Sequence, residues 1–482
     1  MKTIVEKICE NAEKYPDKLA VVCEDDEITY GALWKKVLGL QSYMKALGIS
    51  HGDKVVVQAK YSSWYVVACY AVHLCGAVFV PIDKNSSEDA VEAIRNTLEA
   101  VFIISSHNTK GSKGGTTYDE LETITENQKD TDFSFPDIDS TADIMFTTGT
   151  TGTPKGVVLT HKNISVTAAI RVKEVEIKQN NVAITFVPLN HVAPMRELYL
   201  NGYNGSTVIF LDGMLKIKKM FQYMEHYGVT SLYVPPSGIT VIQQFSAKGL
   251  SAFADQLDYV YTGSSSMNEP QQVYMRKSLP KSRLYFSYGS SENGSVSLHR
   301  YYKDLKPITC VGKPCEGVSV RIVDDEYNEV PCGEVGTVTV KSDMNFTEYY
   351  NLPELTEGIY RDGYFVSSDA GYLDEDGFLY VLGRKDDMVN IGGLKVYPTE
   401  IEDAAAKIEA IEDCICVPVE DKITGQAVKL IVKKKNGAEC SAQSIRTSLI
   451  GKLDSYKLPK LIEFADSIER TSNGKLNRKA YK

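Results

Sequence analysis

The segment Thr147-Thr148-Gly149-Thr150-Thr151-Gly152-Thr153-Pro154-Lys155-Gly156 decides how the rest of the chain is interpreted. It follows the mostly apolar residues 142–146 and precedes Val157-Val158-Leu159, which predicts a loop between two strands. Glycines let backbone N–H groups converge, threonine hydroxyls add donors, and Lys155 adds a positive charge. The sequence therefore predicts a loop that binds phosphate oxygens.

This loop differs from the helix-opening P-loop, in which Gly, four residues and then Gly-Lys-Ser/Thr follow in order. The fifth residue after Gly149 is Pro154, and Gly156 follows Lys155 instead of preceding it. Taken alone, such a run is also compatible with a flexible Gly/Thr surface loop.

The composition narrows the class of protein. The formal net charge of −10 argues against a nucleic-acid partner. Ten cysteines without a Cys-x-x-Cys pair are typical of free thiols in a reducing cytoplasm. Charged residues close to Met1 argue against a signal peptide. The longest apolar run, 64–80, is shorter than a membrane span of about 20 residues, so it predicts a buried helix running into a strand and no transmembrane segment.

Helix and strand patterns divide the chain into blocks. Residues 1–135 and 141–300 each predict a layered α/β subdomain with a parallel sheet. Residues 307–383 predict the short strands of a small antiparallel barrel or sandwich. The last hundred residues predict a compact α+β unit behind a charged, hinge-like segment, 383–387. The expected fold class is α/β, with a large N-terminal domain of two layered subdomains and a small β-barrel, and a small mobile lid after it.

A second polar motif, Tyr288-Gly289-Ser290-Ser291-Glu292, follows the predicted strand 283–286. Loops at the carboxyl ends of parallel strands are where such sheets bind ligands. The Tyr288 ring is suited to stack on adenine, Ser291 to reach a phosphate or acyl oxygen, and Glu292 to bind Mg²⁺. A surface turn with polar residues is the alternative.

Three more polar segments follow in order. Asp369 and Arg384 offer a carboxylate and a guanidinium, the stretch 392–402 begins with two glycines that permit close backbone approach, and Lys475 lies in a basic tail. Taken singly, Asp369 is also typical of a turn and Arg384 of a surface charge. The stretch 392–402 is also typical of a turn before a helix, and Lys475 of a solvated tail.

In this order and spacing, the motifs resemble those of the adenylate-forming superfamily, which includes acyl- and aryl-CoA synthetases, peptide-synthetase adenylation domains and luciferase. Ser291 departs from the family's Tyr-Gly-x-Thr-Glu pattern but keeps a hydroxyl. Early segments at 28–31, 52–55 and 76–81 resemble the family too, so the resemblance covers nearly the whole chain. It implies an AMP-binding domain over 1–384, a hinge at 385–386 and a lid domain over 387–482.

The resemblance also implies roles for individual residues. Lys475 is expected to swing into the active site and to serve catalysis with Glu292 and Ser291. Asp386 is expected to be the hinge pivot, and Gly392, Gly393 and Lys395 to border the CoA channel. The expected ATP- or AMP-binding residues are Thr147, Thr148, Gly149, Thr150, Thr151, Gly152, Lys155, Ser264, Tyr288, Gly289, Asp369 and Arg384, with Mg²⁺ at Glu292 and Thr150.

The implied reaction joins a carboxylate to the AMP part of ATP, releases pyrophosphate, and then transfers the acyl group to the thiol of CoA. Two anions must meet in the first step, so charge neutralisation and positioning supply most of the rate. Lys475 is expected to bridge the carboxylate and the α-phosphate, while the loop 147–156 holds the β- and γ-phosphates.

The acid is expected to be fatty or aromatic. Relatives that activate amino acids place an aspartate where this chain runs from Pro188 to Arg196 without an acidic residue. His191 resembles the pocket histidine of acyl- and aryl-CoA ligases, although a structural histidine is the alternative. Residues expected to line the acyl pocket are His191, Tyr233, Gly263 and Met267.

Two other functions remain compatible with the sequence. A stand-alone adenylation enzyme that loads the phosphopantetheine of a carrier protein would use the same motifs. A non-catalytic nucleotide-binding protein on this fold is the second, and the retention of Lys475, Asp369, Arg384 and Glu292 disfavours it.

Overall fold

The computed structural model of this chain describes residues 1–107, 114–126, 132–147, 155–214, 216–246, 249–471 and 475–481. Up to residue 147 the elements are α1 (Ile4–Lys14), β1 (Leu19–Cys23), β2 (Asp26–Thr29), α2 (Tyr30–Ala46), β3 (Lys54–Gln58), α3 (Ser63–Leu74), β4 (Val78–Ile82), α4 (Glu88–Leu98), β5 (Phe102–Ser105), β6 (Gly115–Thr117), α5 (Leu121–Glu126) and β7 (Thr141–Thr147).

Strands and helices alternate in the next part of the chain, as the sequence predicts. The elements are β8 (Lys155–Thr160), α6 (His161–Glu174), β9 (Val182–Thr185), α7 (Val192–Asn204), β10 (Thr207–Phe210), α8 (Ile217–His226), β11 (Ser231–Tyr233), α9 (Pro236–Phe245), β12 (Tyr259–Thr262), α10 (Glu269–Ser278) and β13 (Arg283–Tyr288).

Short strands then dominate up to residue 384. They are β14 (Ser297–His299), β15 (Cys310–Pro314), β16 (Ser319–Val323), β17 (Gly336–Lys341), β18 (Glu348–Tyr349), β19 (Tyr360–Arg361), β20 (Tyr364–Leu373) and β21 (Leu379–Arg384), with one short helix, α11 (Pro353–Gly358), among the described residues.

The C-terminal part has a sheet of its own. Its elements are β22 (Val389–Ile391), β23 (Leu394–Val396), α12 (Pro398–Ala406), β24 (Ile411–Asp421), β25 (Gly425–Lys434), α13 (Ala442–Leu449) and β26 (Leu461–Phe464). Short 3₁₀ turns occur at Tyr118–Glu120, Leu250–Phe253, Lys385–Asp387, Ser455–Lys457 and Arg478–Tyr481.

The first sheet has the strand order β18-β8-β7-β4-β3-β5-β6. Strands β3 and β4 run parallel on either side of α3 in the sequence, which confirms the predicted βαβ unit. All twelve residues of α3 are buried, so the long apolar run is a core helix followed by a strand. Among the described residues, no helix has the length and apolar character that crossing a membrane requires.

The second sheet contains fourteen strands within the described residues, in the order β16-β17-β20-β21-β15-β14-β13-β12-β11-β9-β10-β1-β2, with β19 beside β20. Strands β9, β11, β12 and β13 are parallel neighbours, so their carboxyl ends lie side by side at one edge. This arrangement gathers four loops that are distant in sequence.

The α/β fold class is confirmed, but the small barrel that we expected at 307–383 does not close. Its strands continue the second sheet instead, because β15 pairs with β14 on one side and with β21 on the other. The backbone groups at the edge of β15 hydrogen-bond to β14, whereas in a barrel they would be paired by closure of the sheet.

The C-terminal strands pack separately. Strands β22–β26 form a five-stranded sheet in the described part of the chain, and a core cluster drawn only from residues 389–449 lies against α12 and α13. This is the compact α+β unit that the sequence predicts. Pro398 occupies the start of α12, where its missing N–H costs nothing.

Candidate active site

The parallel edge of the second sheet brings together the loops after β11, β12 and β13. Tyr233 ends β11, and its hydroxyl lies 2.8 Å from the Ser264 hydroxyl in the next loop. Ser264 has a backbone φ of +77°, which residues other than glycine rarely adopt. A Cβ on Gly263 would lie 3.2 Å from the Ser287 carbonyl oxygen. The turn after β12 is therefore tightly shaped at this edge.

The Tyr288–Glu292 motif continues from β13 and meets the strand β20. The Tyr288 hydroxyl donates to Asp369, with 2.6 Å between Oη and Oδ2. Burial raises the pKa of Tyr288 well above its usual range, and the negative charge of Asp369 adds to this shift. Tyr288 is thus a neutral donor that holds the carboxylate in place.

Asp369 and Arg384 lie directly opposite each other across β20 and β21. The Arg384 Nε is 3.6 Å from Asp369 Oδ1, and Nη1 donates to the Ser368 hydroxyl. Arg384 is exposed, so its guanidinium is available to a ligand as well. The carboxylate and the guanidinium predicted from separate motifs are therefore neighbours.

Glu292 and Lys155 are linked through Tyr349, a residue that the sequence did not indicate. The Tyr349 hydroxyl donates to Glu292 Oε1 at 2.9 Å, and the Lys155 Nζ lies 5.2 Å from the centre of the Tyr349 ring. Strand β18 places Tyr349 here by pairing with β8. Only the tertiary pairing of so short a strand reveals this position.

The glycine- and threonine-rich segment joins two antiparallel strands, as predicted. Thr147 ends β7, Lys155 begins β8, and the two face each other in the ladder. Five of the predicted phosphate-binding residues fall between them and lie outside the described residues: Thr148, Gly149, Thr150, Thr151 and Gly152.

Lys475 comes from the end of the chain and lies beside these groups. Surrounding protein atoms lower its pKa by desolvation and the positive charge of Arg384 lowers it further, while Asp369 and Glu292 oppose the shift. The residue is nevertheless exposed to solvent. The Lys475 carbonyl oxygen accepts a hydrogen bond from Thr471 N at 2.8 Å, which folds the tail back on itself.

His191 stands at the N-terminus of α7, close enough to Lys475 for the lysine charge to act on its pKa. Burial lowers its pKa; the charge of Asp83 opposes the shift and that of Lys475 adds to it. A lowered pKa favours the neutral imidazole near neutral pH. The other expected pocket residues are near this edge: Tyr233 is 5% exposed and Met267 is 2% exposed within the core.

A cavity lies between α6 and α7, and its lining differs from the expected pocket. On α7 it is lined by Val192, Met195, Arg196 and Tyr199, and on α6 by residues that include Arg171. Arg196 donates from Nη2 to the carbonyl oxygens of Ser290 at 2.7 Å and Ser291 at 3.4 Å. The sequence did contain a signal for this residue: Arg196 is a charged residue at helical spacing from Val192, Met195 and Tyr199.

The hinge and lid residues make contacts of another kind. Asp386 is exposed in the turn Lys385–Asp387, and Lys385 Nζ contacts Asp325 Oδ1 at 3.0 Å and the Thr337 hydroxyl at 2.9 Å. Gly392 and Gly393 form the two-residue turn between β22 and β23, with φ of +60° and +93°. Both angles favour glycine, so the geometry of the hairpin turn is by itself sufficient to explain why two glycines stand here. Lys395 follows in β23 and is exposed.

Two family models match the sequence. The AMP-binding enzyme model covers residues 8–350, and the AMP-binding enzyme C-terminal domain model covers residues 400–475. Among similar proteins, a fatty acid–(acyl-carrier-protein) ligase, ScoC, from Streptomyces coeruleorubidus is 26% identical over 99% of this chain and 96% of its own length. A 2-succinylbenzoate–CoA ligase from Geobacillus sp. (strain WCH70) is 28% identical over 96% of this chain and 94% of its own length.

Solved structures share the fold. ATP-bound MatB from Rhodopseudomonas palustris matches with a TM-score of 0.88 and 23% identity over 99% of both chains. The anthranilate CoA ligase AuaEII, in complex with anthranoyl-AMP, matches with a TM-score of 0.89 and 20% identity over 100% of this chain and 96% of its own. Since the first family model covers well over half of the sequence and the second covers most of the C-terminal unit, this chain belongs to the family of AMP-binding enzymes.

Proposed function

We propose that this protein activates a carboxylic acid with ATP, forming an acyl-adenylate and pyrophosphate, and then transfers the acyl group to the thiol of CoA. The observation that most strongly supports this proposal is the position of Lys475. A lysine from the last residues of the chain lies close enough to Asp369, Glu292 and Arg384 for their charges to act on its pKa. This grouping fits a reaction in which two anions must be held together.

The nucleotide is assigned to the edge formed by β13, β20 and β21. The Asp369 carboxylate can accept hydrogen bonds from both ribose hydroxyls, and Arg384 supports the ribose and the phosphates. The Tyr288 ring and the backbone of Gly289 border the adenine, and Ser264 lies in the neighbouring loop. The β- and γ-phosphates are assigned to the residues from Thr147 to Lys155, which include Thr148, Gly149, Thr150, Thr151 and Gly152.

A magnesium ion fits the donors present. Mg²⁺ is usually held by one or two carboxylates together with substrate phosphates and water, not by a cage of protein ligands. Among the described residues there is no cluster of three or more His, Cys, Asp and Glu side chains, and Glu292 is linked through Tyr349 to Lys155, which belongs to the proposed phosphate-binding segment. Glu292, with the Thr150 hydroxyl, would hold an ion that offsets triphosphate charge.

In the first step, a carboxylate oxygen of the acid attacks the α-phosphorus of ATP. The new oxygen–phosphorus bond forms as the bond to the bridging oxygen breaks, and pyrophosphate leaves with that electron pair. Lys475 bridges the carboxylate and the α-phosphate and reduces their repulsion. The hydroxyl of Ser291 would contact the α-phosphate or the acyl oxygen.

In the second step, a thiolate attacks the acyl carbon and AMP leaves. We assign the AMP-binding domain to 1–384, the hinge to 385–386 with Asp386 as pivot, and the lid to 387–482. Rotation of the lid would withdraw Lys475 and bring Gly392, Gly393 and Lys395 to the thiol channel. The separate C-terminal core supports this assignment, because a unit with its own core can rotate as a body.

The acid is proposed to have an apolar fatty or aromatic body. His191, Tyr233, Gly263 and Met267 would supply apolar surface and one hydroxyl for it, and His191 lies close enough to Lys475 for the lysine charge to act on its pKa. The neutral imidazole of His191 leaves the reacting carboxylate without a competing cation on that side. We also propose a reducing, cytoplasmic setting, which is supported by ten cysteines that are all free thiols.

Transfer to a carrier protein instead of CoA is the second candidate. It is favoured by one observation: the relative ScoC, matched over 99% of this chain, is named as a ligase for an acyl carrier protein. The acceptor in both cases is a phosphopantetheine thiol, so the adenylation step is the same.

Exchange of labelled pyrophosphate into ATP, measured across fatty and aromatic acids, tests the first step. We expect exchange that depends on both the acid and Mg²⁺. Thioester formation with CoA, compared with a holo carrier protein, then identifies the acceptor. Absence of acid-dependent exchange over the whole panel would overturn the proposed function and favour a non-catalytic nucleotide-binding protein.

A further inference from the structure

Arg196 connects α7 to the Tyr288–Glu292 loop. It lies five residues after His191, on the helix that begins beside the proposed acyl pocket, and it is partly buried. Its Nη2 donates to the carbonyl oxygen of Ser290 at 2.7 Å and to that of Ser291 at 3.4 Å. The reaction proposed above gives this arginine no role.

Other contacts hold α7 in place. Arg171 Nη2, from α6, contacts Glu197 Oε1 at 2.7 Å, with both side chains buried. The Tyr199 hydroxyl donates to Asp143 Oδ2 on β7 at 2.8 Å. A helix fixed to two neighbouring elements in this way is a firm support, and Arg196 reaches the loop from it.

The bonds from Arg196 come from a charged donor. Surrounding protein atoms lower the pKa of Arg196 to about 10; the charge of Arg171 also lowers it, while Tyr261, Tyr233 and Glu292 oppose the shift. Arg196 is therefore a cation at neutral pH, and a hydrogen bond from a charged donor is stronger than one between neutral groups. The effect of Glu292 also shows that Arg196 lies near the carboxylate proposed to hold Mg²⁺.

The loop is braced from within by bonds that use other atoms. The Ser290 N–H and hydroxyl both donate to Asn293 Oδ1, at 2.7 and 3.0 Å, and the Glu292 N–H donates to the Ser290 hydroxyl at 3.1 Å. Within the described residues, the hydrogen bonds that reach the carbonyl oxygens of Ser290 and Ser291 come from Arg196. Arg196 therefore fixes the loop on a side that its internal bonds leave free.

The two ends of this loop carry groups that the proposed reaction needs. At one end, the Tyr288 hydroxyl donates to Asp369 Oδ2 at 2.6 Å. At the other end, Glu292 Oε1 accepts from the Tyr349 hydroxyl at 2.9 Å. A shift of the loop would thus displace the proposed ribose contact and the proposed metal ligand together.

We propose that Arg196 is a positioning residue for adenylate formation, which holds the Tyr288–Glu292 loop so that Asp369 and Glu292 meet the ribose and Mg²⁺. This inference rests on the proposed function and adds a residue to it. Arg196 contacts neither ATP nor the acid in this assignment, and it acts through two carbonyl oxygens. A misplacement of about 1 Å in such a support can slow a reaction on the order of a hundredfold.

Arg196→Gln tests the inference in the pyrophosphate exchange assay. KM for ATP should rise, and kcat/KM for ATP should fall on the order of 10–100-fold, because bonds from a charged donor are lost. The Mg²⁺ concentration that gives half-maximal exchange should rise by about 3–10-fold, since Glu292 is less well placed. KM for the acid should change by less than about threefold. A rise in KM for the acid alone would overturn the inference, because Arg196 would then act on the acid.

The pattern of constants separates positioning from a loss of folded protein. Partial unfolding lowers kcat by the fraction of inactive protein and leaves KM for ATP and the Mg²⁺ dependence unchanged, and that result would overturn the inference. Arg196→Lys keeps a charged donor and should recover part of the loss. Arg361→Gln is the matched control, because Arg361 also donates to backbone carbonyl oxygens but is exposed elsewhere.

Calorimetric titration with ATP and Mg²⁺ distinguishes a failure of this inference from a failure of the proposed function. Exchange by the unchanged chain, with equal ATP affinity and Mg²⁺ dependence in Arg196→Gln, overturns the inference alone. Absence of exchange with every acid overturns the proposed function. Weaker ATP binding by Arg196→Gln in that case would still support the role of Arg196 in positioning the nucleotide site.

Discussion

The Tyr288 hydroxyl is bonded to the Asp369 carboxylate, although the two residues are far apart in sequence. Strands β13 and β20 belong to one continuous sheet, and β21 places Arg384 opposite Asp369. A ring, a carboxylate and a guanidinium are thereby held in a fixed arrangement before any ligand binds. Such preorganisation lowers the entropy lost when a nucleotide is bound.

Asp369→Asn tests the ribose contact. The amide keeps the size of the side chain but removes the charge and one acceptor, so KM for ATP should rise on the order of 10–100-fold. Titration of ATP in the exchange assay measures this change. Tyr288→Phe keeps the ring and loses only the supporting hydroxyl, so its effect should be smaller. Equal effects of the two substitutions would contradict direct binding by Asp369.

Lys475→Ala should separate the two half-reactions. Adenylate formation should slow on the order of 10²–10³-fold, because the bridging charge is lost. Thioester formation from supplied acyl-adenylate should stay within about threefold of the unchanged chain, since the lid is assigned to withdraw Lys475 in that step. Single-turnover assays of each step measure both rates, with the exposed Lys479→Ala as control. An equal loss in both steps would contradict the two lid positions.

The pH dependence of adenylate formation should report Lys475. The required form is the ammonium, and desolvation together with Arg384 lowers its pKa from the ordinary value of 10.5. Charge is therefore lost at a lower pH than for an exposed lysine, and kcat/KM should fall as pH rises through that region. In Lys475→Arg this fall in kcat/KM at high pH should disappear, because a guanidinium stays protonated. If the fall in kcat/KM is unchanged in that variant, it reports the titration of another group.

Tyr349→Phe should weaken the metal site. The substitution removes the hydroxyl bonded to Glu292 but keeps the ring beside Lys155. The Mg²⁺ concentration that gives half-maximal exchange should rise by about 3–10-fold, the effect of one lost hydrogen bond to a charged group. The neighbouring Tyr350→Phe, whose hydroxyl donates to the Leu98 carbonyl, is the control. A similar response in both variants would remove Tyr349 from the site.

Arg478→Met should loosen the tail that carries Lys475. Arg478 Nη2 contacts both carboxylate oxygens of Glu402 at 2.7 Å, and the Cys416 N–H donates to Glu402 as well. Removing one partner leaves a buried carboxylate unpaired, at a cost of about 3–5 kcal/mol. Amide hydrogen exchange over 475–481 and 411–421 should become faster on the order of a hundredfold or more. Arg446→Met, which loses a bond to the Pro459 carbonyl, should change exchange far less.

Motifs with a strict order of residues could be interpreted without a structure. The segment from Thr147 to Gly156 and the Tyr288–Glu292 motif each combine residue types suited to binding a nucleotide. The role expected for Lys475 came from the order of all the motifs. Alternating patterns also predicted the βαβ unit around α3 and the separate C-terminal unit. These features are local, because they depend on periodicity and on short runs of residues.

Long-range strand pairing decided the rest. The expected barrel is open because β15 finds partners on both sides, and no local pattern specifies which strands will pair. Tyr349 reaches Glu292 and Lys155 only because a two-residue strand pairs with β8.

The surroundings of Arg196 show the same division. The sequence determined that an arginine stands at position 196, five residues after His191. Only the tertiary structure decided that Glu197 pairs with Arg171 and that Arg196 is left without a carboxylate among the described residues. Whether two charges compensate each other depends on distances between side chains from different elements, and these distances are fixed by how α6, α7 and the Tyr288–Glu292 loop pack together.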